Sequence, residues 1–300
     1  MILLTGASGL IGHCILDYFK DHYKSQIIAL YRHNKPSIDK KNILYAYADL
    51  TQEHAWYELN RFSADTIIHC AAVIPESCII DNNQHVAKQQ NMTMDNFAIT
   101  YATKKNSKLI YMSSSGVYGY SFNYLCDENS PLNPQGEYFI GKLETENSIL
   151  SLNNTLKYFI FRISSPFGSL LRNNTVMSIF IRNALQNRPI LYYGTGSRTQ
   201  DFIYAKDIAR ACFNAINCEN YGIYNIASGT PISMKELAEL IKSITASQSE
   251  IKSADIADPQ ETFKANFGIQ KANALLQWQP HYTLEQGLQD FIRHTRFTVL

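Results

Sequence analysis

What this 300-residue chain lacks narrows its function first. Its six cysteines (Cys14, Cys70, Cys78, Cys126, Cys212 and Cys218) form no C-x-x-C pair. That removes the dithiol redox motif and the Cys-rich metal cage, and leaves scattered, reduced core thiols as the expected state. The eight histidines fall in no H-E-x-x-H spacing, so no metal site is expected. No apolar run reaches the roughly 20 residues of a membrane-spanning helix. Met1 leads straight into an apolar strand, without the charged start, apolar run and cleavage site of a secretory leader. A cytoplasmic protein that engages no membrane is the expectation. Lys and Arg number 27 against 26 Asp and Glu, for a net charge of +1. Such a balance offers no basic field to nucleic acid and no acidic face to a basic partner. The tyrosines are dispersed and make no stacking platform. Internal repeats, low-complexity tracts and Gly/Ser linkers are missing too, so any two lobes are expected to pack together.

What remains is an ordinary globular composition, 45% hydrophobic and 18% charged. In the first half, short apolar runs alternate with amphipathic stretches. Ile2 to Leu4, Ile27 to Leu30, Thr66 to Cys70, Lys108 to Met112 and Tyr158 to Ile163 read as buried strands. Ile11 to Tyr23, Gln52 to Arg61, Gln84 to Lys105 and Tyr138 to Leu152 read as helices. This alternation predicts an α/β fold, a Rossmann doubly wound parallel sheet. After about residue 168 the rhythm changes: a helix over Thr175 to Gln186, a strand pair around Ile190 to Tyr204, and helices over Lys206 to Ile216, Ser233 to Ser243 and Leu284 to Arg293. Residues 1–168 are expected to bind a dinucleotide. Residues 169–300 are expected to form a smaller substrate-binding α/β lobe, with segments crossing between the two.

The turn after the first strand reads Thr5-Gly6-Ala7-Ser8-Gly9-Leu10-Ile11-Gly12, with glycines spaced G-x-x-G-x-x-G. Glycine lets a backbone turn tightly and approach a pyrophosphate, and the following helix offers amide donors and positive dipole to the anion. Gly6, Ser8, Gly9, Leu10, Ile11 and Gly12 are therefore candidate dinucleotide contacts; an unliganded strand–helix turn is the plainer alternative. The second strand ends in Tyr31-Arg32-His33, without the carboxylate that often accepts from the adenosine ribose hydroxyls. A guanidinium suits a 2′-phosphate, so NADP(H) is favoured over NAD. A solvated basic loop would explain the same residues. Asp49-Leu50, after the third strand, is a candidate for the adenine amino group, or an exposed turn.

Tyr138 and Lys142 form Y-x-x-x-K on an expected helix, where i and i+4 share a face. A phenol has an ordinary pKa near 10. A nearby ammonium favours phenolate and so fits the phenol for proton transfer at neutral pH. Alone, this pattern is more often plain helix surface. Ser113-Ser114-Ser115 follows a strand's C-terminal end, where open α/β sheets bind ligands. A serine run is otherwise a loop or cap.

Glycine turn, serine loop and Y-x-x-x-K, in this order, resemble the extended short-chain dehydrogenase/reductase family, in its nucleotide-sugar epimerase/dehydratase/reductase branch. Ser113-Ser114 to Val117-Tyr118-Gly119, Asp127-Glu128 through Pro131 and Pro134 to Tyr138, Lys142, Leu143 and Glu146, and His69-Cys70-Ala71-Ala72 with Asn91 carry the likeness. So do Gly194-Thr195-Gly196 to Asp201-Phe202-Ile203-Tyr204 and Asp207, and Trp278-Gln279-Pro280 with Leu284 to Gly287. The resemblance implies that Ser114 orients the substrate oxygen, Tyr138 moves the proton and Lys142 tunes it while holding the nicotinamide ribose. It implies cofactor contacts at Cys70, Ala71, Ala72, Asn91, Ser164 and Ser165, and substrate contacts at Ser115, Ser165, Arg198 and Gln200. It also implies a homodimer formed through two helices. Three departures stand out. Ser165 occupies the place of an asparagine, Gln200 that of an arginine that holds the nucleotide pyrophosphate, and Gly141 that of a small hydroxyl residue. Arg198 can share a strand face with Gln200 and stand in for that arginine. The substrate is then a sugar, nucleotide-linked or smaller. An NADP(H)-dependent keto-sugar reductase is the first reading and an epimerase with tightly held NAD the second. Ser115-Gly116, in place of an acid pair, argues against dehydration. A silent dinucleotide-binding sensor is the third reading, and the intact Tyr and Lys argue against it.

Overall fold

The computed structural model describes residues 1–75, 84–120, 124–171 and 174–296; Cys78 lies outside them. The amino-terminal half winds strand and helix in turn: β1 (Ile2–Thr5), α1 (Leu10–His22), β2 (Ile27–Tyr31), β3 (Ile43–Tyr47), α2 (Glu53–Leu59), β4 (Thr66–His69), α3 (Gln84–Lys105), β5 (Lys108–Ser114), α4 (Glu137–Leu150) and β6 (Tyr158–Ile163). The carboxy-terminal half adds β7 (Ser165–Phe167), α5 (Val176–Leu185), β8 (Ile190–Tyr192), β9 (Thr199–Gln200), β10 (Phe202–Tyr204), α6 (Ala205–Asn217), β11 (Gly222–Ile226), β12 (Ile232–Ser233), α7 (Met234–Thr245), β13 (Ile251–Ser253), α8 (Gln270–Leu276) and α9 (Leu284–Arg296).

The main sheet has seven parallel strands in the order β11-β6-β5-β4-β1-β2-β3. The order reverses between β1 and β4, the crevice where doubly wound sheets bind dinucleotides. The inner strands are apolar on both faces because helices cover both. On one face Ile15, Leu16 and Phe19 of α1 meet Ile208, Ala211 and Cys212 of α6. On the other, Met94, Phe97, Ala98 and Tyr101 of α3 and Ile149 of α4 pack over Leu3, Ile67, Leu109 and Ile160. Burying a side chain such as Phe19 or Leu3 contributes about 1.5–3 kcal/mol. A separate core joins α5, α7 and α9 around Phe180, Leu237, Phe291 and Phe202. The capping box of Ser233 and Glu236 fixes the start of α7.

Two expectations change. The segment from Ile190 to Tyr204 is not a strand pair. β8 pairs in parallel with β13, β9 runs antiparallel to β12, and β10 pairs in parallel with β7. Gly194 and Gly196, at φ of 56° and 74°, turn the chain away between them. The sheet's seventh strand, β11, was not anticipated. It comes from the carboxy-terminal half and lies against β6. Among the described residues no helix is long and apolar enough to cross a membrane.

Candidate active site

All seven strands of the sheet run in parallel, so their carboxyl ends share one edge. The expected site residues follow those ends. Gly6 follows β1, Arg32 follows β2, Asp49 follows β3, Cys70 follows β4, Ser114 closes β5, and Ser164 and Ser165 follow β6.

The glycine turn is tight for a physical reason. Gly6 has φ of 65°, and a Cβ on it would sit 2.7 Å from the Ala71 amide nitrogen and from the Cys70 carbonyl carbon. A Cβ on Gly12 would sit 2.2 Å from the Gly6 carbonyl oxygen. Gly9 heads α1, and no side chain caps that helix. A close-packed backbone turn leading into an uncapped helix start fits a dinucleotide pyrophosphate. Leu10 and Ile11 are half-buried against the core. Thr5 ties the turn to the strand beside it, its Oγ1 accepting from the amides of Cys70 (3.1 Å) and Ala71 (3.0 Å).

Several expected cofactor contacts are already engaged. The Asn91 amide clamps Val73, accepting from its N–H at 2.7 Å and donating to its carbonyl at 2.8 Å. Asn91 thus shapes the loop after β4. Ser164 donates to the buried Asp201 carboxylate at 2.6 Å. The Leu50 side chain is buried in the core, and its carbonyl accepts from the Trp56 indole at 3.1 Å. Ala72 is exposed, while Cys70, Ala71, Ser8 and Ser115 are half-buried.

At the end of β2 the sequence holds no carboxylate, but the fold brings one. Asp49 lies 3.9 Å from the Arg32 guanidinium. Arg32 Nε also donates to His33 at 3.0 Å. Burial pushes the Asp49 carboxyl up, but hydrogen bonds from Thr51 and the charge of Arg32 outweigh it and hold it below its ordinary value.

The proton-transfer candidates sit on β5 and the first turns of α4. Ser114 accepts from the Gly116 amide at 3.1 Å. The α4 helix packs closely there: a Cβ on Gly116 would strike the Phe139 ring at 2.2 Å. Lys142 is buried, its ammonium 6.0 Å from the Tyr138 ring centre and 4.6 Å from that of Tyr111. Gly141 lies under Lys88, which pairs with Glu144 (2.8 Å) and Glu137 (3.2 Å).

Beneath this edge lie two buried polar networks that the motifs did not announce. In one, Ser113 donates to Glu146 at 2.5 Å, and Glu146 holds Arg162 Nη2 at 2.7 Å. Arg162 continues to Tyr118 at 3.0 Å, and Tyr118 to Asn225 at 2.7 Å. In the other, His69 bridges Thr5 (2.9 Å) and Asp95 (3.0 Å), and Asp95 accepts from Tyr111 (2.7 Å) and Thr145 (2.9 Å).

The substrate candidates also meet. The β7–β10 pairing sets Ser165 opposite Phe202, and the Gln200 side chain, two residues earlier, donates to the Ser165 hydroxyl. Arg198 Nη1 reaches the Gln200 oxygen at 3.5 Å, while its Nε donates to Asp258 at 2.7 Å. Two residues beyond Asp258, Gln260 Nε2 is buried without a partner among the described residues.

The chain is similar to proteins already known. The model of the NAD dependent epimerase/dehydratase family matches residues 2–227. A putative UDP-glucose 4-epimerase of Methanocaldococcus jannaschii is 31% identical over 298 residues, covering 96% of each chain. The crystal structure of a UDP-glucose 4-epimerase with UDP-glucose from Thermotoga maritima superposes with a TM-score of 0.90 at 22% identity, covering 100% of this chain and 99% of the other. The UDP-glucose 4-epimerase of Thermus thermophilus, in complex with NAD, superposes at 0.85 with 19% identity over 98% of both chains.

Proposed function

The chain belongs to the NAD dependent epimerase/dehydratase family, and from that premise we propose that it is a nucleotide-sugar epimerase that inverts one carbon through a transient ketone. The observation that carries this reading is that Ser114 closes β5 at the same carboxyl edge of the sheet as the glycine turn, while the buried Lys142 ammonium lies 6.0 Å from the Tyr138 ring on α4.

Tyr138 takes the proton of the sugar hydroxyl as the carbon is oxidised and returns it on reduction. Ser114 already accepts from Gly116, which leaves its own O–H to hold the sugar oxygen. The positive charge of Lys142 favours the phenolate. A dinucleotide held by the glycine turn would supply the hydride acceptor and donor. Inversion needs the ketone to present its opposite face between the two transfers, so the rest of the substrate has to be held elsewhere. Ser165, Gln200 and Arg198 supply that hold. Gly6, Ser8, Gly9 and Gly12 cradle the cofactor pyrophosphate, and Asn91 keeps the loop of Cys70, Ala71 and Ala72 against it.

NAD is the proposed cofactor. Arg32 was the ground for favouring NADP(H), and Asp49 beside it sets a carboxylate against a 2′-phosphate. The reductase reading survives through His33 and the free side of Arg32. Native mass spectrometry of the purified chain, followed by a panel of nucleotide sugars with and without NADPH, separates the two. Isomer formation without net cofactor consumption supports the epimerase; stoichiometric NADPH consumption supports the reductase. Tyr138→Phe should lower turnover by about 10²–10⁴-fold with the dinucleotide still bound. Near-normal turnover would remove Tyr138 from the mechanism. A dimer through α3 and α4 is part of the same proposal, and sedimentation velocity tests it.

A further inference from the structure

Two buried charges of opposite sign flank Tyr111, and the proton transfer described above uses only one of them. Lys142 is 3% exposed and Asp95 2%. The Lys142 ammonium lies over one face of the Tyr111 ring at 4.6 Å, and the Tyr111 hydroxyl donates to Asp95 at 2.7 Å. No carboxylate is within ion-pairing distance of Lys142 among the described residues. The other buried carboxylate on its own helix, Glu146, is already paired with Arg162.

The other partners of Asp95 are Thr145 and His69. Thr5 Oγ1 accepts from two backbone amides, so its single proton goes to His69 Nδ1. His69 Nε2 then faces the Asp95 carboxylate at 3.0 Å. A buried carboxylate and a buried ammonium are each costly alone and stable together.

We propose that Asp95 is the counter-charge of Lys142, a positioning residue that sets the pH at which the Tyr138/Lys142 pair releases its protons. The inference rests on the reading of Tyr138 and Lys142 as the proton-transfer pair. The titratable and charged groups around Lys142 are Asp95 on α3, Tyr111 on β5, Tyr138 on its own helix, and Cys70 and His69 at the end of β4. Burial pushes the Asp95 carboxyl up, but the Lys142 charge, with the hydrogen bond and electrostatic attraction of His69 and the hydrogen bond from Tyr111, outweighs it. Burial likewise pushes the Cys70 thiol up, so Cys70 adds no negative charge at neutral pH.

Removing a negative charge lowers the pKa of every neighbouring group. A coupled pair then loses its protons in two macroscopic steps, both shifted to lower pH. For charges at this range the shift is on the order of one pH unit. The test needs no substrate. The ultraviolet phenolate band of Tyr138, taken as the difference between each dinucleotide-loaded protein and its Tyr138→Phe counterpart, is followed against pH. Asp95→Asn and Asp95→Ser, two neutral replacements of different size, should both bring the phenolate in at lower pH. Thr145→Val breaks a hydrogen bond to the same carboxylate but keeps the charge, and should leave the midpoint in place. An unmoved or raised midpoint in either Asp95 variant overturns the proposal, as does an equal shift in Thr145→Val. Lys142→Met separates the two layers. If it raises the Tyr138 midpoint while the Asp95 variants do nothing, only the role of Asp95 falls. If it too does nothing, the reading of the pair falls with it.

Discussion

Glu146→Gln is the perturbation from which the structure yields the largest effect without changing volume. Glu146 is fully buried and Arg162 is 2% exposed. The carboxylate receives Arg162 Nη2 at 2.7 Å, Arg162 Nε at 3.2 Å from each oxygen, and the Ser113 hydroxyl at 2.5 Å. An amide keeps the shape but loses the charge and turns an N–H₂ toward donors. Arg162 is left with Tyr118 and the Glu128 carbonyl, neither of which cancels a buried charge. Breaking such a pair by removing one member costs about 3–5 kcal/mol. With a urea slope of about 3 kcal/mol/M for a chain of this size, the unfolding midpoint should fall by about 1–1.7 M. The double variant Glu146→Leu with Arg162→Met should recover most of that loss, because an apolar pair leaves no stranded charge. Urea titration by circular dichroism, read as a double-mutant cycle, measures both. A loss below about 1 kcal/mol in Glu146→Gln, or a double variant weaker than the single one, would refute the reasoning.

Gly12→Ala should abolish dinucleotide binding by isothermal calorimetry, because its Cβ would meet backbone, the Gly6 carbonyl oxygen, at 2.2 Å. Gly141→Ala should change stability by less than about 1 kcal/mol, since the helix gains from losing glycine. Its Cβ meets only the Lys88 side chain, at 3.0 Å. For pH, the Asp95 carboxyl is held below its ordinary value of 3.8. Its contribution to stability is present above that value and lost as pH falls through the lower, folded one. Urea midpoints should therefore drop below about pH 4 in the parent chain and drop less steeply there in Asp95→Asn.

Much of the amino-terminal half was legible because its chemistry is local. The strand over Tyr158–Ile163 and the helix over Gln84–Lys105 appear at their expected bounds. In each, burial pattern and propensity point the same way. The glycine turn between β1 and α1, the serines at the end of β5 and the placing of Tyr138 and Lys142 on one helix were legible for the same reason, each being a contiguous stretch. The carboxy-terminal strands were less so. Strands of two or three residues carry no periodicity, and β8, β9 and β10 each pair with a segment far from the others. β11 is five residues long and opens on a glycine at φ of 144°. Only its place beside β6 makes it a strand.

The same distinction runs through the site. Residue identity was readable, but residue availability was not. Arg32 was correctly seen as a cation, yet Asp49 reaches it from the end of another strand. Arg198 was seen to share a strand face with Gln200, and the two side chains do meet, but Asp258, 60 positions on, takes the guanidinium Nε. Asn91 was expected to contact the cofactor, and its amide is engaged with Val73. The sequence did carry one usable sign of the network around Lys142. Asn91 and Asp95 lie one turn apart on the stripe of Ala87, Ala98 and Ala102, the buried face of α3. A carboxylate on an apolar stripe needs a partner that only the fold can supply. Here those partners come from β4, β5 and α4, and Lys142 lies among them. The proposed proton-transfer pair is then not isolated chemistry on a generic scaffold. Its charge balance reaches through Tyr111 to Asp95, and from there through His69 and Thr5 to the glycine turn.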